Sequence, residues 1–238
     1  MTAGWRRLGL VPTLATVAGI AVTAALGNWQ MNRAAEKQAL RETLDLRGAA
    51  AAIRVSGVPM DAADIDFRRV EARGRFDPKG TVFIDNRTHR GTPGYHVVMP
   101  LRIGDGTMHV LVNRGWVAAG ADRRSPPKVA TPEGEVAVSG LALVPAGKFL
   151  ELSPKVAEGN VWQNLMIERY RQATRLEVQP FVIQQTSALD DGLVRDWPAP
   201  DLGIHKHYGY AFQWFALAAT LLVFYLVTHV RKRLRQPQ

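Results

Sequence analysis

Two long runs without a charged residue stand near the two ends of this chain of 238 residues. The first extends from Leu8 to Asn32 and the second from His207 to Val230, and neither holds an Asp, Glu, Lys or Arg. As helices they would reach roughly 36 Å, against a hydrocarbon core of about 30 Å. Both therefore predict transmembrane helices rather than buried core helices. Pro12 falls in the first turn of the first run, where its missing N–H would be unpaired anyway. A cleaved signal peptide competes for that run, with Ala21-Val22-Thr23-Ala24 as its processing site. The length of the run and the helical pattern beyond it favour an uncleaved anchor. From Trp29 to Glu42 strong helix formers dominate. Helix 1 is thus expected to leave the membrane near Trp29, an interfacial aromatic, and to continue as a polar, solvent-facing helix.

The middle of the chain changes period. Arg69 to Phe76 and Thr81 to Ile84 read as a hairpin around Asp77-Pro78-Lys79-Gly80. Tyr95 to Ile103 and Met108 to Val117 form a second pair around Gly104-Asp105-Gly106. Glu135 to Val144, Val161 to Leu165 and Phe181 to Gln185 are further strand candidates, and Ile167 to Arg175 reads as a short helix. Asp122 to Pro132 is a loop. Asp191 to Gly203 is an extended lead into helix 2, with Pro198 and Pro200 inside it. The predicted fold is a membrane protein in which two transmembrane α-helices flank a β-rich α+β extracytoplasmic domain. Its expected segments are a tail at 1–7, helix 1 at 8–31, the β-rich domain with its leading helix at 32–206, helix 2 at 207–230, and a basic tail at 231–238.

Charge sharpens this picture. The formal net charge is +9, which could suggest nucleic acid. All 21 acidic residues lie between the two uncharged runs, and six of the nine excess positive charges sit in the short tails. That is the positive-inside pattern, not a nucleic-acid footprint. Both termini are expected in the cytoplasm of a bacterial inner membrane, with residues 32–206 in the periplasm. Cysteine is absent, which excludes disulfides, thiolate nucleophiles and Cys-ligated metals.

Motifs for catalysis are missing. There is no Gly-x-Ser-x-Gly, no P-loop, no Gly-x-Gly-x-x-Gly after a strand, and no His-Glu-x-x-His. The chain is expected not to be an enzyme. Of the six histidines, His89, His96 and His109 fall in the β-rich domain and read as surface or packing residues. His229 lies at the basic end. The prolines and Gly203 place His205 before helix 2, so a metal shared with His207 is not expected. His207 opens helix 2, with Tyr210 and Trp214 three and seven residues on along one face. It reads either as an interfacial histidine bonded to headgroups or as an axial ligand for haem iron, with Tyr210 and Trp214 walling a flat macrocycle. Trp29, Arg33 and Lys37 share a face of helix 1 at four-residue spacing. Arg33 either snorkels to headgroups or grips a carboxylate such as a haem propionate. Asn113-Arg114-Gly115-Trp116 at the end of a strand reads as a turn with a packed Trp or as a partner-contact surface.

Taken in order, these pieces resemble the Surfeit locus protein family (Surfeit-one type) of cytochrome c oxidase assembly factors. The resemblance rests on Gly27-x-Trp29-Gln30-x-x-Arg33, Phe83-Ile84-Asp85-Asn86-Arg87, Pro93-Gly94-Tyr95-His96-Val97, Val112-Asn113-Arg114-Gly115-Trp116 and His207-x-x-Tyr210-x-x-x-Trp214. It covers nearly the whole chain. It implies a factor acting when haem a enters oxidase subunit I, with His207 at the position of the family's haem-binding histidine. The cofactor-binding candidates are then His207, Tyr210, Trp214, Arg33, Trp29 and Gln30, and haem a would be held transiently. The expected partners are nascent oxidase subunit I, haem a synthase and the lipid bilayer, with no nucleic acid. The alternative is a scaffold that stabilises subunit I without binding haem. No metal other than the haem iron is expected, since no His-Met cluster suits copper.

Overall fold

The computed structural model describes residues 4–120, 126–145, 157–198 and 201–234. The outermost tail residues, part of the 122–132 loop and Pro200 lie outside the described residues, as do the side chains of Arg6, Arg7, His229 and Arg231 to Arg233. Two compact units result. One comprises Met1–Thr43 with Ala199–Gln238, and the other Leu44–Pro198.

The first unit is a pair of helices, α1 (Gly4–Ala49) and α4 (Ile204–Leu234). Each is long and apolar enough to cross a membrane. Helix α1 runs without a break through Trp29 into its polar half, as its composition predicts. The pairing is antiparallel: Thr13 Oγ1 meets the Tyr225 hydroxyl at 2.9 Å, and Gln30 meets His207 far along the helix. Among the shielded positions of α1, Thr13, Thr16, Ile20, Thr23, Gly27, Gln30, Ala34 and Lys37 form a row alternating three and four apart. Those of α4 repeat the rhythm at Ile204, His207, Ala211, Trp214, Ala218, Leu221, Tyr225 and Thr228. This is the two-in-seven seam of a coiled coil. Small residues at its centre let the backbones approach, as suits helices whose outer faces are apolar. A Cβ on Gly27 would lie 2.8 Å from the Phe215 ring. Thr13, Thr16 and Thr23 return their hydroxyl protons to carbonyls of the preceding turn, so these three hydroxyls are satisfied within α1.

His205 lies inside α4, contrary to the expectation that it precedes the helix. Gly203 adopts φ +66° and its N–H bonds to Asp201 Oδ1, so the turn is completed there and helix geometry begins at Ile204. His205 and His207 then point roughly 200° apart, and His205 is exposed.

The second unit is built on a small closed barrel. Its strands are β2 (Arg69–Phe76), β4 (Thr92–Ile103), β5 (His109–Ala118), β6 (Val136–Leu143) and β9 (Val178–Gln185). They follow one another around the barrel as β2-β6-β9-β5-β4, and β4 returns to β2. Only the β5–β9 contact within this ring is parallel. The sequence of β2 alternates charged and small or apolar residues, and its exposure alternates in step. Val70, Ala72, Leu101, Val110, Val112, Val138, Phe181 and Ile183 fill the interior. Each large aliphatic or aromatic side chain buried there is worth about 1.5–3 kcal/mol. Gly74 sits where β2 passes from β6 to β4. A Cβ there would fall 1.8 Å from the Arg102 carbonyl oxygen, so barrel closure requires glycine.

The expected hairpin of Arg69–Phe76 with Thr81–Ile84 does not form. β2 is occupied on both edges by β6 and β4, while β3 (Val82–His89) pairs with β4 and the short β8 (Val161–Trp162). Between them Asp77 caps a 3-10 turn, Pro78–Gly80, which sends the chain away from β2. The β4–β5 hairpin forms as predicted, with Arg102 opposite His109. Helix α3 (Ile167–Thr174) covers the outside of the barrel. There Tyr170 is fully buried and donates to the Gly80 carbonyl at 2.7 Å. The remaining short elements are β1 (Ile53–Arg54), α2 (Ala62–Ile65) and β7 (Ala157–Glu158).

Candidate functional site

The seam of the helix pair changes character at its Gln30 end. Below it the shielded residues are small or apolar, whereas here His207, Gln30 and Trp214 are gathered within two turns. His207 Nδ1 and Gln30 Oε1 are 2.6 Å apart. With the amide oxygen facing the ring, Nδ1–H donates to Gln30 and the ring is held in one orientation. Nε2 has no partner among the described residues. A histidine fixed by a bond at one nitrogen and open at the other is the arrangement of a metal-ligating imidazole.

The other expected site residues are distributed unevenly around this centre. Trp214 lies half-buried on the seam, seven residues and about 20° from His207. Tyr210 lies on the flank of α4 and is 53% exposed. Trp29 is 58% exposed on the flank of α1. Arg33 is also outward, its Nη1 donating to Glu36 Oε2 at 2.7 Å in an exposed pair. Lys37 is the half-buried cation of the seam itself. Tyr208 adds a second link between the helices, donating to Gln38 Oε1 at 3.2 Å. The arrangement can therefore offer one nitrogen ligand, an indole wall and two cations for carboxylates. No carboxylate of α4 competes for a metal, and no cluster of three or more His, Asp or Glu exists among the described residues.

The Asn113-Arg114-Gly115-Trp116 stretch is divided between core and surface. Arg114 is completely buried, its Nη2 2.8 Å from Asp191 Oδ2 and 2.8 Å from the Ala130 carbonyl, with the guanidinium 4.8 Å from the Phe76 ring centre. Burial pushes its pKa down, partly offset by Asp191. Gly115 is buried too, with φ +147° and the Leu193 side chain and Val194 carbonyl packed against it. Of the four expected contact residues, only Asn113 and Trp116 are partly exposed. Trp116 N–H and C=O both bond to Val194, which pins the following residues beside β5.

That pinning builds a cleft in the barrel unit which the sequence reading did not foresee. Its volume is about 460 Å³, and Arg87, His89, His96, Trp116 and Trp197 line it. A β-bulge between Ile84 and Arg87, with Asn86 at φ +58°, turns Arg87 and His89 to one side. Trp116 donates its indole N–H to the Arg87 carbonyl at 2.8 Å, and Trp197 donates to the Gln185 carbonyl at 2.7 Å. His89 packs on Trp116 and His96 on Trp197 at centroid distances of 5.1 and 5.3 Å. Burial, assisted by the Arg87 charge, lowers the His96 pKa to about 4. The signal was present: Asn86-Arg87, His96 and Trp116 each belong to a quoted motif. Only the fold shows that those motifs meet.

Together these features define a class, namely a chain with two paired apolar helices and a small β-barrel inserted between them in sequence. The chain belongs to the SURF1 family, whose model matches residues 17–219. It is 24% identical over 227 residues to Surfeit locus protein 1 of Takifugu rubripes, covering 89% of this chain and 94% of that protein. It is 24% identical over 211 residues to a SURF1-like protein of Rickettsia felis, covering 85% and 90%. Surfeit locus protein 1 of Mus musculus is 26% identical over 231 residues, covering 87% and 72%.

Proposed function

We propose that this chain is an inner-membrane biogenesis factor for cytochrome c oxidase, which binds haem a through His207 and hands it to nascent subunit I. The observation that carries the reading is the 2.6 Å bond from His207 to Gln30, which leaves Nε2 open on the seam of two apolar helices. His207 would supply the axial nitrogen, Trp214 and Tyr210 the apolar walls, and Arg33 and Lys37 the charges for the propionates. Trp29 would sit at the membrane boundary beside them. Holding by one half-buried histidine would suit a carrier that must release its cargo. The uncharged runs and basic tails support two crossings, with the barrel in the periplasm and both termini in the cytoplasm. The barrel would dock subunit I and haem a synthase. No catalytic step is assigned to any residue.

The same Gln30–His207 bond also ties the helices together, which favours a second reading, a scaffold for subunit I that never holds haem. The absorption spectrum separates the two. The full-length protein is purified in detergent from cells making haem a, beside His207→Ala. Soret and α bands in the wild type that vanish in the variant, with subunit I still co-purifying, are the expected result. No bands in either preparation, with haem a supply demonstrated, would leave the scaffold.

A further inference from the structure

The cleft on the barrel unit contains an unmet cation. Arg87 is half-buried, and no hydrogen-bond acceptor for its guanidinium exists among the described residues. Burial pushes its pKa down, and Asp85 offsets this only in part. None of its nitrogens is sealed from water, so the guanidinium is partly desolvated yet open to an anion arriving from solution. Its surroundings say what kind. Trp116 and Trp197 offer flat apolar faces, each with its N–H already used on a backbone carbonyl. His96 is uncharged at neutral pH, so it adds no positive charge. Arg90, the other cation of the cleft, faces Asp196 at 3.6 Å. Of the lining residues Arg87 and Arg90 are cationic and Asp196 is anionic, a net charge of +1. A monoanion neutralises it, whereas a dianionic phosphate would leave excess negative charge.

We infer that this cleft binds a carboxylate borne on a flat apolar body, the carboxylate forked on Arg87 and the body held against Trp116 and Trp197. The planar guanidinium matches a carboxylate in two parallel bonds, and indole faces take up aromatic or conjugated surface. The site involves no residue of the helix seam, so it stands or falls independently of haem binding at His207.

Calorimetric titration of the full-length protein in detergent with 2-naphthoate tests this, with 2-naphthamide as its neutral isostere and phenyl phosphate as the dianion. N-acetyltryptophan stands in for the carboxyl end of a peptide and tells that source from a free aromatic acid. Binding of 2-naphthoate is expected to exceed that of the amide by about tenfold or more, the usual yield of a charge-assisted pair. Arg87→Gln should lose it to the same extent, Arg87→Lys should lose part of it, and His207→Ala should bind as wild type. Thermal unfolding of each Arg87 variant confirms that it is folded. Equal binding of acid and amide, tighter binding of phenyl phosphate, no binding of 2-naphthoate, or a folded Arg87→Gln that binds normally would each overturn the assignment.

Discussion

His207 Nδ1 and Gln30 Oε1 meet at 2.6 Å although they stand 177 positions apart in the chain. Because Gln30 accepts from Nδ1–H, the ring has one direction, and Nε2 is the nitrogen left for a ligand. Gln30→Leu keeps the volume and removes the acceptor. The imidazole then loses its orientation and some of its basicity, and ligand affinity is expected to fall about 10–100-fold. The haem-to-protein ratio after purification, together with a shifted or broadened Soret band, would reveal it. A merely structural Gln30 would leave the band position of the remaining haem unchanged.

The seam itself should be sensitive at Gly27. Its missing side chain leaves room for the Phe215 ring, which a Cβ would approach to 2.8 Å. Gly27→Leu must force the helices apart or tilt the ring, at a cost of about 1–3 kcal/mol. Thermal unfolding in detergent should show the loss. The variant should also retain less haem, since His207 and Gln30 would no longer meet.

These relationships differ in how far the chain announces them. An uncharged run of 24 residues ending in basic side chains has few alternatives to a membrane helix, so α4 and His207 could be read directly. The β4–β5 hairpin was legible because its turn, Gly104-Asp105-Gly106, is local. The barrel was not, because β2 pairs with β6 and β4 rather than with its sequence neighbour β3. Such pairings carry no local signal and win through the interior they close. The seam escaped notice for a different reason. Between Thr13 and Lys37 its α1 residues are small or polar except Ile20, while the large apolar residues Val17, Phe212 and Phe224 face outward. Hydrophobic periodicity marks the lipid-facing side of such helices and not their contact. From sequence the Asn113–Trp116 stretch admits a turn with a packed Trp or a partner-contact surface, and nothing local marks Arg114 for burial. Its partner Asp191 is too distant in the chain to suggest a buried pair.

That pair should matter for stability. Arg114 and Asp191 are both essentially inaccessible, and Arg195 joins Asp191 from the same loop. Asp191→Asn leaves the Arg114 charge buried without its counter-charge, at a cost of about 3–5 kcal/mol. The loop that carries Trp197 should loosen with it. Denaturant unfolding would register the first effect. Faster hydrogen exchange over residues 193–197 would register the second, because Trp116 and Val194 hold that segment through their backbone bonds.

His96 supplies the pH dependence of the barrel unit. Its ring is packed against Trp197 and faces Arg87 and the Asn113 amide, and burial before charge lowers its pKa from 6.5 to about 4. The unfolded chain therefore binds a proton that the folded chain refuses. Stability due to His96 is complete above pH 6.5, is lost as the pH falls, and levels off below about pH 4. His96→Gln has nothing to titrate there. The wild-type minus variant difference in unfolding free energy should decline across that window and stay flat above it. If the two unfold in parallel from pH 7 to pH 4, His96 is solvated in the folded protein and the wall opposite Arg87 is open to water.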